Sequence, residues 1–352
     1  MEYLNIPISD SHIHLDWNMT IDKKMNLLEK IIEKNNYDTV TVCPVPYVSD
    51  RITHCRDFTT NLTAFYAKCK FPGKVYAFMG INHHSDESLN TAEFYLEQLK
   101  FYMEAGFDGI KMLEGRTAEH KVYGCGVDDP KYDLFYKYAE DNGIVIVSHI
   151  GGPESAWHEG GSLYWTHPDL NDLYKEVDNV MAKFPKLKMV LAHFYFITEH
   201  LDIAGDILDK YENVYYDLTP NQFMYLDFQK NPEEWKAFFE KYQDRILYGT
   251  DIGSNTTDVD GTEADSLVQM VREFFEGNEP FNVLGYDLTP IPLKESILRK
   301  FYKENMMKLY DGKTPKAPVK RLMKKEFDEV CKLKLLLEIN DRKNLDIIKE
   351  IF

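Results

Sequence analysis

Eight short apolar runs, each rich in β-formers and most followed by an amphipathic helical run, fill the chain from its start to about residue 250 and leave few folds open to it. The strand readings are Ile6 to His14, Thr39 to Cys43, Val75 to Met79, Gly109 to Leu113, Ile144 to His149, Lys188 to His193, Val214 to Leu218 and Arg245 to Thr250. Between them, helical spacing runs from Asp22 to Lys34, Thr59 to Cys69, Leu89 to Ala105, Lys131 to Asp141 and Leu170 to Phe184. Strand-then-helix units imply parallel strands with crossover helices, and eight is the number that closes a barrel. An open doubly wound sheet places a glycine-rich phosphate loop after its first strand and gathers its site at one switch point. This chain has no such loop, and its polar strand ends are spread along its whole length. The expected fold is therefore α/β, a (β/α)8 TIM barrel over residues 1–312.

The composition changes beyond that point. Thr314-Pro315-Lys316-Ala317-Pro318 reads as a linker, and residues 313–352 carry 11 Lys/Arg against 7 Asp/Glu in a chain whose net charge is −17. Leu322, Phe327, Val330, Leu333, Leu336 and Leu337 fall on one helical face, and a second short helix is expected from Leu345 to Phe352. This is a helical C-terminal extension, expected to pack on the barrel or on a partner subunit, which leaves room for a homo-oligomer. The acidic balance argues against nucleic acid and anionic membrane as partners. Five scattered cysteines with no CxxC pair suit reduced thiols in a cytoplasmic protein better than disulfides or a thiolate zinc site. No apolar stretch is long enough to span a bilayer.

The chemistry lies at the strand ends. His12 and His14 are two apart on a strand and so share a face. Alone, such a pair is more often two hydrogen-bonded residues than a metal site. In a barrel, however, the C-terminal strand ends converge on one mouth, where His149, His193 and Asp251 meet the first pair. Imidazoles with a carboxylate form the ligand set of a borderline divalent ion, zinc first, and Mn, Fe or Ni would also be accommodated.

Four stretches, Asp10-Ser11-His12-Ile13-His14, Val147-Ser148-His149, Leu191-Ala192-His193 and Tyr248-Gly249-Thr250-Asp251, resemble the signature of the amidohydrolase superfamily. His167-Pro168, Phe184-Pro185-Lys186-Leu187 and Asn305 with Leu309-Tyr310 are similar to its amidohydrolase-2 branch, which contains lactonases, other hydrolases, non-oxidative decarboxylases and some hydratases. The resemblance covers roughly residues 5–310. It implies His12, His14 and His149 as metal ligands, and Asp251 as a ligand or the neighbour of the metal's water. His193 would be a ligand or a polariser of the substrate oxygen, so Asp251 and His193 are the expected catalytic residues. A divalent ion lowers the pKa of water toward ~7, and Asp251 can take the released proton and pass it to the leaving group.

One ion is expected. Lys111, near the end of the fourth strand, would raise the number to two if carbamylated, as in binuclear relatives. The expected activity is metal-dependent hydrolysis of a lactone, ester or amide of a small organic acid. The alternative is non-oxidative decarboxylation of an aromatic or unsaturated acid. Arg51 and Arg116 suit a substrate carboxylate, and Trp165 an apolar wall of the site.

Overall fold

In a computed structural model, residues 3–45, 60–84, 86–161, 168–221, 223–255, 257–258, 260–332 and 339–352 are described. Eight strands form one sheet in sequence order, β1 (Ile8–Ile13), β2 (Tyr37–Val42), β3 (Val75–Gly80), β4 (Gly109–Gly115), β5 (Val145–Ile150), β6 (Lys188–Leu191), β7 (Val214–Asp217) and β8 (Ile246–Leu247). Every neighbouring pair from β1–β2 to β7–β8 is parallel, and helices lie between them, as in a TIM barrel. The connecting helices are α1 (Ile21–Lys34), α2 (Thr60–Lys70), α3 (Ala92–Ala105), α4 (Thr117–Tyr123), α5 (Asp133–Asp141), α6 (Leu170–Lys183), α7 (Leu201–Lys210), α8 (Met224–Phe228) and α9 (Pro232–Lys241). Then follow α10 (Thr262–Glu276), a hairpin of β9 (Phe281–Val283) and β10 (Tyr286–Leu288), α11 (Glu295–Arg299) and α12 (Asn305–Leu309).

Two strand ends depart from the sequence expectation, and both departures serve the mouth. β8 pairs regularly only at Ile246–Leu247, short of the expected Arg245–Thr250. Beyond it the chain closes on β1 through three irregular backbone bonds, Ser11 N to Tyr248 O at 2.9 Å, Asp251 N to His12 O at 2.9 Å and His14 N to Ile252 O at 2.6 Å. Gly249 permits close packing on both sides, because a Cβ there would stand 3.2 Å from Ser11 Oγ of β1 and 2.4 Å from Thr219 Oγ1 after β7. β6 ends at Leu191, not at His193, and the chain turns into a left-handed coil. His193, Phe194, Tyr195 and Phe196 all have φ between 52° and 57°. Non-glycine residues pay ~1–2 kcal/mol each for that conformation, so packing must hold it. Phe194 lies in an aromatic box, 4.6 Å from Tyr216, 5.1 Å from Phe228 and 5.6 Å from Trp235 between ring centroids.

The barrel interior is filled, as a packed core and not a pore. Phe78, Val145, Val147, Val190, Ala192 and Leu247 fill it, and Tyr76 stacked at 4.2 Å on Tyr310 closes the end remote from the mouth. A second, larger apolar layer packs the outer face of the strands under the helices.

The C-terminal extension forms α13 (Lys320–Lys332) and α14 (Ile339–Ile348), followed by a final turn. α13 lies against α2 and α3, and α14 against α1 and α2. Asn344 Oδ1 accepts the Ile21 N–H at 2.8 Å and so satisfies the first helical donor of α1, whose N-cap Thr20 makes no side-chain cap bond. The Phe352 ring stacks on Phe65 at 6.4 Å and meets Phe327 at 5.2 Å. Among the described residues no helix is long and apolar enough to cross a membrane.

Candidate metal centre

The mouth gathers side chains from β1, Lys111 within β4, the end of β5, the turn after β6, the end of β7 and the segment after β8. His12 Nε2 stands 3.2 Å from His14 Nε2, and Asp251 Oδ1 stands 3.1 Å from His14 Nε2 and 3.7 Å from His12 Nε2. Potential ligand atoms of His12, His193 and Asp251 all lie within 4.8 Å of one another. All three histidines are buried.

The hydrogen bonds assign the tautomers. His12 Nδ1 donates to Asp217 Oδ2 at 3.0 Å, His14 Nδ1 to the Cys43 carbonyl at 2.6 Å, and His193 Nδ1 to the Thr219 carbonyl at 3.2 Å. Each acceptor fixes the proton on Nδ1 and leaves a lone pair on Nε2. Two such lone pairs 3.2 Å apart repel unless a cation or a donor lies close by, a part Lys111 Nζ takes toward His12 at 2.7 Å. Nitrogens bound to one zinc at about 2.0–2.1 Å are themselves about 3–3.5 Å apart. Asp251 Oδ1 is shut from solvent and has no hydrogen-bond partner, a costly state for a carboxylate oxygen unless an ion takes it. The donor set therefore fits a divalent ion of the borderline kind.

Electrostatics agree. Burial, aided by the positive charge of Lys111, holds His12 well below the ordinary imidazole range, and burial with the neighbouring His193 does the same for His149. Burial likewise lowers His193. Neutral imidazole is the ligating form. Burial by itself would raise the Asp251 carboxyl, but its contacts with His14, His193 and His12 bring it below the ordinary carboxylate range, so this carboxylate stays ionised.

The remaining sequence candidates divide. His149 lies beside the cluster, its ring centroid 4.7 Å from His193, but it is not among the three residues whose ligand atoms all fall within 4.8 Å of one another. Lys111 is fully buried and its Nζ lies 2.7 Å from His12 Nε2, with burial lowering its pKa. Arg116 begins α4, bonded to Glu119 at 3.2 Å, and its charge reaches both His149 and Lys111. Arg51 and Trp165 lie outside the described residues. Glu114 and His83 bond each other at 2.9 Å, with His83 held by Tyr95 at 2.8 Å and stacked on Tyr123 at 3.8 Å. That pair is occupied in tying β4 to α3 and α4.

Asp217, at the polar end of the seventh strand, reads from the sequence as one more candidate for substrate contact; in the structure it touches two of the histidine segments instead. Sequence reading gave no role to Phe196, whose ring lies 5.1 Å from His193 and 5.3 Å from His149. Nothing in the pattern marked Phe196, because only the left-handed turn brings it to the mouth.

The amidohydrolase family model, in its amidohydrolase-2 form, matches residues 48–312, about three quarters of the chain. His12 and His14 precede the match, so their part rests on geometry. Among curated proteins no sequence matches. Solved structures share the fold. An uncharacterised TIM-barrel protein from Bordetella bronchiseptica is 15% identical, with a TM-score of 0.57 over 87% of this chain and 99% of that one. A 2,6-dihydroxybenzoate decarboxylase complexed with 2,6-dihydroxybenzoate is 13% identical, with a TM-score of 0.54 over 87% and 99%. An amidohydrolase from Burkholderia multivorans with bound zinc is 12% identical, also with a TM-score of 0.54 over 87% and 99%.

Proposed function

This chain belongs to the amidohydrolase-2 family of metal-dependent enzymes, and on that premise we propose that it is a hydrolase acting on a lactone, ester or amide bond of a small organic acid. What carries the reading is the pair of unprotonated Nε2 atoms of His12 and His14, 3.2 Å apart, beside the unpartnered Oδ1 of Asp251. His12, His14 and Asp251 would hold one ion, zinc by preference, with His149 and His193 completing the set. When bound, such an ion supplies Lewis acidity and brings the pKa of water toward ~7.

The chain's own residues do the rest. Asp251, ionised at neutral pH, takes the proton of the attacking water and returns it to the leaving oxygen or nitrogen. His193, with its proton committed to the Thr219 carbonyl, offers a lone pair at Nε2. That supports a ligand role over donation to a substrate oxygen, unless the ring is protonated during turnover. Arg116 keeps N–H groups beyond its bond to Glu119 for a substrate carboxylate. Phe196 offers an apolar face beside the histidines.

That face favours a second reading, decarboxylation of an aromatic acid by the same residues. A panel of lactones, esters, amides and hydroxybenzoates, assayed for both acid release and CO2, separates the two. Hydrolysis predicts acid release and no CO2. Release of CO2 without net water uptake would replace the first reading with the second. Elemental analysis is the prior test: purified protein without a transition ion, and unable to take one up, would sink both.

A further inference from the structure

Asp217 ends β7 with a fully buried carboxylate, and both of its oxygens are engaged in different tasks. Oδ2 accepts from His12 Nδ1 at 3.0 Å. Oδ1 accepts the backbone N–H of His193 at 2.7 Å and that of Thr219 at 3.3 Å. The two segments it joins are not neighbours in the barrel: one is β1 and the other is the turn after β6, with β7 and the segment after β8 between them.

The second task answers a question raised by the backbone. His193 opens a run of four left-handed residues that ends β6 early. A strand would send the His193 N–H sideways to a neighbouring strand. Here it points to Asp217 Oδ1, and Asp217 also receives the Thr219 N–H, which orients the Thr219 carbonyl that fixes His193 Nδ1. Asn221 adds a longer bond from its amide to the His193 carbonyl at 3.4 Å.

We infer that Asp217 is the positioning residue of this mouth, one carboxylate that sets the His12 tautomer and pins the left-handed turn presenting His193. The inference rests on the metal reading above, because it concerns two residues of the proposed ligand set. Asp217 itself touches neither ion nor substrate. It acts through His12 and through the backbone of His193.

The two tasks separate by chemistry. Asp217→Asn keeps a carbonyl oxygen able to accept the His193 and Thr219 N–H groups, so the turn persists. Its amide nitrogen then faces His12 Nδ1 and can only donate. His12 Nδ1 then keeps only the longer contact to Thr219 Oγ1 at 3.4 Å as an acceptor among the described residues, and the proton moves to Nε2, where it blocks the lone pair. Asp217→Ala removes both tasks together. A residue that merely caps the end of β7 predicts the opposite for Asn, which caps as well as Asp.

The test uses full-length protein stripped of metal and titrated with Zn2+ or Co2+ against a competing chelator. In parallel, nitrogen-15 NMR of the histidines reads the His12 tautomer in the metal-free state. Asp217→Asn is expected to move the His12 proton to Nε2 and to weaken metal binding about 10–100-fold, while the melting temperature of the metal-free protein stays near the parent's. Asp217→Ala is expected to weaken binding at least as far and to lower that melting temperature. Binding by the Asn variant within about twofold of the parent's, or a His12 proton still on Nδ1, overturns the inference and leaves the metal reading standing. A parent that binds neither ion overturns the metal reading, and this inference with it.

Discussion

Lys111 Nζ lies 2.7 Å from His12 Nε2, on the same side of the ring that the proposed ion needs. In the metal-free protein this amine is the donor that satisfies the His12 lone pair, so ion and lysine compete for one position. With one ion per chain, Lys111→Met is expected to keep the stoichiometry and to tighten binding about tenfold or more, because a like charge is removed from a buried site. Elemental analysis and chelator competition check this. Two ions in the parent, falling to one or none in the variant and recovering with bicarbonate only in the parent, would instead assign Lys111 as a carbamylated bridge.

Metal removal is expected to soften the whole barrel mouth, because ligands from β1 and from the segment after β8 close the same seam. An ion present at a thousand times its dissociation constant adds about 4 kcal/mol to stability. Dialysis against a chelator is expected to lower the melting temperature by several degrees, with recovery when zinc is returned. Identical melts with and without chelator would count against an ion bound at this seam.

Phe194 is the anchor of the left-handed turn. Replacing it with alanine empties the box formed by Tyr216, Phe228 and Trp235, and is expected to destabilise by about 3–5 kcal/mol. Metal affinity is expected to fall with it, because His193 precedes Phe194 directly. Urea unfolding and chelator competition on the same variant read the two effects. A stability loss with unchanged affinity would detach the turn from the site.

Glu326 on α13 gives a pH-dependent effect away from the mouth. Its carboxyl accepts the Tyr102 hydroxyl at 3.0 Å, and burial raises its pKa above the ordinary carboxylate value. A raised folded-state value means that the neutral form favours folding. The contribution is fully present below the unfolded pKa of about 4.3 and is lost as pH rises through the folded value. Glu326→Gln, which stays neutral and can still accept from Tyr102, is expected to melt higher than the parent at neutral pH and to converge with it in acid. Parallel melting curves at every pH would refute this.

The barrel was legible because its information is local and periodic. Apolar runs of strand length alternating with helical spacing state the order of elements, and eight such strands with polar ends spread along the whole chain and no phosphate loop after the first suit a closed barrel better than an open doubly wound sheet. Where the structure differs, long-range contacts override local preference. β6 stops at Leu191 because Asp217 takes the His193 N–H and an aromatic box takes Phe194. β8 loses its regular pairing because the chain after Leu247 follows β1 by other bonds.

The site divides in the same way. Residue type and strand-end position announce that imidazoles and a carboxylate converge, since these are properties of the sequence once eight strands are counted. Which nitrogen of each ring faces the centre depends on partners distant in sequence: Asp217 for His12, the Cys43 carbonyl for His14 and the Thr219 carbonyl for His193. A tautomer is decided by whichever acceptor the fold brings to Nδ1, and no spacing in the chain encodes that. The sequence by itself determined the barrel and the kinds of donor at its mouth. Only the tertiary structure decided how those donors are aimed, because aim is set by hydrogen bonds between strands that meet only when the barrel closes.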